Sequence, residues 1–346
     1  MKKILILSLI IGAVSTAHAA VTGTVLFSDS FNRPNNNDID ASATGMAGSY
    51  APVIYQEAFE GSGQPTSIAI VSNQLNVAMG VGMSSLYIDR NLTGADILNA
   101  DGFSVSMDVV SITSADDPGN RFGGFGVGNT RDEAAAARDS FDSPVPLRPN
   151  TARANQGIGV SDFYVDLALD QNLRLWSNGA LLNTIPVGAA AGTITVDFFV
   201  SDFNAGSQVT AVVYFNGVQK DVQEFTWDHA NSNYLGISGR TAAAGVFLDN
   251  LSITTIYDDR AASPFPADGA ISVKTDALVL KWNKGKDGSG NPNSAITQHY
   301  LYIAEGEPNF VASPYIVADT TDPVSYAGYA FATDKVYYWR VDESIN

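Results

Sequence analysis

The stretch Phe103-Ser104-Val105-Ser106-Met107-Asp108-Val109 decides the fold class. Its apolar side chains fall at every second position, the period of a β-strand with one face buried and the other wetted, whereas an amphipathic helix would space them three and four apart. Outward from it, runs of the same character recur at residues 25–31, 74–79, 84–88, 123–128, 163–169, 173–176, 193–202, 208–215, 234–238 and 246–254, separated by clusters of Gly, Asn and Asp. Leu169-Asp170-Gln171-Asn172-Leu173 and Phe215-Asn216-Gly217-Val218 read as hairpin turns, Asn-Gly being a pair that readily takes the left-handed positions of a two-residue turn. So many antiparallel strands in succession predict an all-β, two-sheet sandwich.

One segment departs from that pattern. In Thr130-Arg131-Asp132-Glu133-Ala134-Ala135-Ala136-Ala137-Arg138, Thr130 and Glu133 have the spacing of a capping box and lead into alanines, which predicts a short helix. Residues 139–156 then carry three prolines and little periodicity, and read as a long loop of the size that lids and binding loops have.

At 346 residues the chain is long for one core, since domains divide beyond about 250 to 300 residues. Residues 258–266 have linker composition. Beyond them 278–282, 299–303 and 336–341 alternate again, and 284–293 is a polar, Gly-rich loop. A first domain at 21–257 and a second, smaller β domain at 267–346 are therefore expected. Before them, Met1-Lys2-Lys3, the apolar run 4–14 and Ser15-Thr16-Ala17-His18-Ala19-Ala20 have the parts of a secretory signal peptide spanning residues 1–20, cleaved after Ala19 or Ala20. The run falls short of the roughly 20 residues of a spanning helix, and no later stretch comes close. A secreted, extracellular or surface-held protein is expected.

The chain has no cysteine, which excludes disulfides, thiolate metal sites and a lipid-modified cysteine. A net charge of −17 disfavours nucleic acid and anionic membranes as partners and suits cations, neutral glycans or plain solubility.

Leu26-Phe27-Ser28-Asp29-Ser30-Phe31-Asn32-Arg33, Phe122-Gly123-Gly124-Phe125-Gly126-Val127-Gly128, Asn233-Tyr234-Leu235-Gly236-Ile237-Ser238-Gly239-Arg240 and Phe247-Leu248-Asp249-Asn250-Leu251-Ser252-Ile253 give the first domain its likeness. It resembles the concanavalin A-like, laminin-G-like jelly-roll domains of secreted bacterial proteins. The second resembles fibronectin type III-like modules through Pro266-Ala267-Asp268-Gly269-Ala270, Leu280-Lys281-Trp282 and Tyr337-Tyr338-Trp339-Arg340-Val341-Asp342-Glu343. That resemblance implies an immunoglobulin-like sandwich with Trp282 and Trp339 in its core and the Tyr337 hydroxyl bonded to an upstream backbone group. It also implies one more strand after Asn346, so the module reads as incomplete: the chain is part of a longer polypeptide, or a partner supplies the strand.

Glycan-cleaving relatives of the jelly roll carry carboxylates at alternate positions of one strand, as Glu-x-Asp-x-Glu. The chain lacks that pattern, and Asp221-Val222-Gln223-Glu224 has the wrong spacing. His229 and His299 belong to no zinc motif, His299 reads as surface or boundary structure, and neither a nucleophile elbow nor a phosphate loop is present. The glycines of 123–126 read as a strand that permits close sheet packing. Calcium is the ligand the resemblance implies: its first and last strands lie side by side, which brings Asp29 and Asp249 together as in sandwich carbohydrate-binding modules with a structural ion. The oxygen-rich loop 35–40 is a weaker candidate, without the Gly and Glu of an EF-hand.

Glycan recognition needs aromatic faces beside polar groups. Trp176 lies on the strand face opposite Leu173 and Leu175 and is expected to be exposed, with Arg174 on its side. Trp227, Tyr234 and Arg240 fall near a sheet end, and Arg121 follows Asp116-Asp117. The alternative for each aromatic is a place in the core or under the long loop. The expected function is a non-catalytic modular protein whose jelly roll recognises a glycan or cell-surface component, with the second domain as a spacer. Its rivals are a purely structural link of an adhesin or matrix protein, and a glycan-degrading enzyme with an unusual site lined by residues such as Asp116, Asp117 and Asp139.

Overall fold

The computed structural model describes residues 6–8, 20–36, 39, 50–53, 67–79, 82–114, 118–136, 161–241, 245–267, 273 and 278–345. Strands are numbered β1 to β22 along the chain. The chain divides into two compact units, Thr24–Ile256 and Tyr257–Asn346 with Met1–Gly23.

The first unit is an antiparallel jelly-roll β-sandwich of two sheets. One has the order β11 (Ala180–Pro186), β10 (Asn172–Ser177), β9 (Phe163–Ala168), β8 (Phe122–Asn129), β15 (Tyr234–Thr241), β6 (Gly82–Ile88), β3 (Tyr50–Val53). The other has the order β14 (Val218–Thr226), β13 (Gln208–Phe215), β12 (Gly192–Phe199), β7 (Gly102–Thr113), β16 (Gly245–Tyr257), β5 (Gln74–Met79), β4 (Ser67–Val71), and β2 (Val21–Asp29) pairs with β16. Two short helices, α1 (Ala95–Leu98) and α2 (Arg131–Ala136), interrupt the strands.

The alternation that predicted β7 is what builds the core. Phe103, Val105, Met107 and Val109 are buried on its inner face, against Phe125 and Val127 of β8 and Phe163, Val165 and Leu167 of β9. An aromatic group ties the sheets together: Phe198 of β12 stacks on Phe103 at 4.9 Å and meets Phe163 of the facing sheet edge-on at 5.5 Å, and Phe163 lies 5.2 Å from Phe225. Gly123 lets the sheets approach, since a Cβ there would stand 2.7 Å from Val246 Cγ1 and 2.9 Å from Leu248 Cδ2.

Local signals act as their chemistry requires. Asn216 and Gly217 join β13 to β14 with φ of 51° and 73°, the left-handed pair of a type I′ hairpin. The capping box forms at α2: Glu133 Oε2 accepts from Thr130 N and Thr130 Oγ1, both at 2.8 Å, and Thr130 Oγ1 accepts from Glu133 N at 3.1 Å.

In the second unit β17 (Ala262–Phe265), β18 (Leu280–Asn283) and β21 (Val324–Tyr326) form one sheet. The other is β1 (Ile6–Ser8), β22 (Val336–Ile345), β19 (Ile296–Glu305) and β20 (Tyr315–Val317), with β1 parallel to β22. β17 falls inside the segment that composition marks as linker, and pairs with β18. Trp282 and Trp339 pack in the core with Leu280, Leu301, Val324 and Tyr337, and the Tyr337 hydroxyl accepts the Ala332 N–H at 2.9 Å, as expected of a tyrosine corner. His299 departs from expectation: it is wholly buried, stacks edge-on against Trp282 and accepts the indole N–H at Nδ1, 3.2 Å away. Its strand places it on the inner face, where Nδ1 also lies 3.0 Å from Glu343 Oε1 and Nε2 is 3.2 Å from the Asp319 carbonyl. Among the described residues no helix is long and apolar enough to cross a membrane.

Candidate functional site

The outer face of the seven-stranded sheet is where the first unit departs from an ordinary sandwich. Such a face is commonly wetted. Here Phe122, Tyr164, Ala168 and Trp176 form a second buried cluster, and every residue of β8 and β9 is buried. Polar groups lie within it. The register sets Arg174 opposite Asp166 and Trp176 opposite Tyr164 across β9 and β10. Trp176 Nε1 donates to Asp166 Oδ2 at 3.1 Å, and the hydroxyls of Tyr164 and Ser238 are 2.6 Å apart. Arg174 Nη1 lies 3.8 Å from Asp166 Oδ1 and donates to the Gly119 carbonyl at 2.7 Å, while Nη2 bonds Asp170 Oδ2. The network leads from a wholly buried carboxylate, Asp166, to Arg174 and the more open Asp170, whose side chains are 12% and 26% exposed.

Trp176 and Arg174 thus stand side by side as their spacing implied, but Trp176 is 1% exposed. Opposition to Leu173 and Leu175 puts it on the outer face, where it packs in the buried cluster with Phe122, Tyr164 and Ala168. Trp227 lies on the core side with Phe203 and Phe225, its indole N–H donating to the His229 carbonyl at 2.9 Å, so it does not join Trp176. Arg240 on β15 and Arg121 before β8 are both buried, and Tyr234 is half-buried, edge-on to Tyr87 at 6.4 Å. Asp116, Asp117, Asp139 and the loop 139–156 lie outside the described residues. Asp166 and Tyr164 were missed, although the alternation in Asp162-Phe163-Tyr164-Val165-Asp166 puts all three polar-tipped side chains on one face.

A second group was missed because its members are far apart in sequence. Asp162 is wholly buried, its Oδ2 accepting the Asp228 N–H at 3.0 Å. Burial pushes its carboxyl up to about 7, against the lowering effects of that bond and of His229. His229 Nδ1 lies 3.4 Å from Asp162 Oδ1 and 3.1 Å from the Gly128 carbonyl, and Nε2 lies 3.2 Å from Glu133 Oε1.

At the opposite sheet, β2 does pair with β16. Asp29 is buried; its Oδ1 accepts from Phe31 N at 2.7 Å and Arg33 Nη1 at 2.6 Å, and its Oδ2 has no hydrogen-bond partner among the described residues. Asp249 faces Asp108 across β16 and β7, and its carboxyl is pushed up by burial and then by Asp108 and Asp29. Asp108 is already occupied by Thr193 Oγ1 at 2.5 Å and Asn250 Nδ2 at 2.8 Å. Among the described residues no three His, Cys, Asp or Glu side chains form a group that could hold a metal ion, so any ion at this edge would rest on two carboxylates and backbone oxygens. Of loop 35–40, Asn36 bridges to Ile70, and residues 37, 38 and 40 lie outside the described residues.

No family model and no curated protein matches the sequence. Solved structures with a similar fold include the carbohydrate recognition domain of Emp47p (9% identity, TM-score 0.37, covering 66% of this chain and 97% of that one). Lectin I-B4 from Griffonia simplicifolia is another (11%, 0.35, 66% and 97%), as is an endo-1,3-beta-glucanase from Streptomyces sioyaensis (9%, 0.36, 67% and 95%). The likeness is one of fold, and no site residue is carried over from it.

Proposed function

We propose that the chain is a secreted, non-catalytic modular protein whose first unit recognises a glycan or cell-surface component, the second serving as spacer. The observation that carries this reading is the Asp170–Arg174–Asp166–Trp176 network on the outer face: a carboxylate and a guanidinium at a partly open rim, backed by an indole and a second carboxylate, is the chemistry that pairs with sugar hydroxyls. The carboxylate geometry supports the non-catalytic part. Asp162 and Asp166 are four residues apart along one strand direction, about 13 Å, where glycosidase pairs stand about 5 to 9.5 Å apart. Asp166 and Asp170 both engage the Arg174 guanidinium. The test is a glycan array probed with the mature protein in calcium. Asp170→Asn and Arg174→Lys are expected to weaken binding about tenfold or more, the worth of one charged hydrogen bond. Failure of the wild type to bind any glycan rejects the proposal and leaves the structural link, which the closure of Tyr164 and Trp176 within the face favours.

A structural calcium belongs to the same reading. Asp29 Oδ2, buried and without a partner among the described residues, and the Asp249 carboxyl would hold it where β2 meets β16, relieving the repulsion between them, with Arg33 as the competing cation. Calcium at about ten times its Kd is expected to raise Tm by roughly 3–6 °C over chelator, and Asp249→Asn to abolish the difference. Identical melting in calcium and chelator rejects the ion.

A further inference from the structure

Outside that network, two carboxyl groups from separate parts of the chain meet one imidazole. The charged groups against His229 are Asp162, just before β9, and Glu133 on α2; β8 presents the Gly128 carbonyl, and the charge of Asp228 acts on Asp162. We propose that His229 is a proton-operated clasp: as an imidazolium it ties α2 to the first unit through Glu133, and as a neutral imidazole it lets that tie go.

The geometry sets the direction. With both nitrogens protonated, Nδ1–H serves the Gly128 carbonyl and Asp162 Oδ1, and Nε2–H serves Glu133 Oε1. With one proton left, Nδ1 keeps it, because two acceptors face that side, one of them a buried carboxyl whose Oδ1 has no hydrogen-bond partner of its own among the described residues. The Nε2 lone pair then confronts the Glu133 carboxylate 3.2 Å away, and Glu133 withdraws. Its Oε2 stays with Thr130, so the helix remains capped, and what opens is the link to the loop bearing His229. A second tie does not switch: Arg131 holds Asp89 through two bonds of 2.6 and 2.7 Å, and that bonding holds the Asp89 carboxyl below its ordinary value.

The clasp bears on the outer face. α2 packs against β3, β6, β8 and β15, and the charges of Arg131 and Asp132 act on Tyr87, an outer-face residue of β6 beside Tyr234. Loss of the Glu133 tie as pH rises therefore loosens α2 on the Tyr87 side of that face, four strands from β10, while the Arg131–Asp89 tie stays in place. The clasp does not rest on the glycan proposal.

The experiment is amide hydrogen exchange of α2, read at Ala134, at pH 5.5 and 8.5 and corrected for intrinsic rates, with 15N NMR of the His229 ring. Expected are protection about tenfold lower at pH 8.5 and a neutral ring protonated at Nδ1. Glu133→Gln keeps the cap through its amide oxygen and can donate an N–H to the neutral Nε2, so its protection should depend on pH less than that of the wild type; Asp89→Asn should enlarge the wild-type effect. Equal protection at both pH values, or a neutral ring protonated at Nε2, overturns the clasp. Switching without glycan binding at either pH leaves the clasp standing and removes the glycan proposal instead.

Discussion

Truncating Phe198 to Ala is expected to cost about 3–5 kcal/mol of stability in the first unit. The side chain is wholly buried and touches rings from both sheets: Phe103 beside it on β7, Phe163 across the sandwich and Phe225 on β14. The three rings packed against it cannot close the space left by the benzyl group without shifting two sheets, so the loss includes a cavity as well as the transfer of the ring. Denaturant unfolding followed by tryptophan fluorescence measures it. Val218→Ala, on an exposed turn position of β14, is the control and should fall within about 0.5 kcal/mol of wild type. A loss under about 1 kcal/mol for Phe198→Ala would mean that this aromatic group does not hold the sheets together.

The second large effect is on pH dependence. Burial holds the Asp162 carboxyl near 7 and that of Asp197 near 6, the latter against hydrogen bonds from Ser104 and Tyr214. In both the fold favours the neutral form. Their stabilising contribution is therefore complete below the ordinary carboxyl value of 3.8 and is lost as pH rises through about 6 for Asp197 and about 7 for Asp162. For Asp162 the loss is on the order of 4 kcal/mol. Wild-type stability should fall between about pH 4 and 8, and Asp162→Asn, which can still accept the Asp228 N–H, should flatten the curve and exceed the wild type at the alkaline end. Stability that climbs across that window, with Asp162→Asn the weaker protein at pH 8, would show that the ionised Asp162 is held as a favourable pair with His229.

The strands, the hairpin turn at Asn216-Gly217 and the cap at Thr130 were legible in the sequence because each depends on residues within a few positions of one another, whereas the bond of the Tyr337 hydroxyl to upstream backbone was expected from resemblance. Period two says which side chains share a face, so Arg174 was correctly placed beside Trp176. It does not say what lies on that face. Trp176 was expected to be exposed and His299 to lie at a boundary because alternation sorts residues into two sides and leaves open whether the second side is packed. The pairing of β2 with β16 came from resemblance, and only the fold shows that Arg33 already bonds Asp29 there.

The candidate site and the clasp were less legible still. Asp162, Glu133 and His229 come from three segments separated by dozens of residues, and no local spacing rule relates them. What the sequence by itself determined is the all-β class, the strand periodicity, the acidic surface and the absence of cysteine chemistry. Tertiary structure alone decided that the outer face of one sheet is a buried polar and aromatic layer, and which carboxyls meet which cation. The physical reason is that burial and proton affinity are set by neighbours in space, whereas the strand pattern is set by neighbours in the chain.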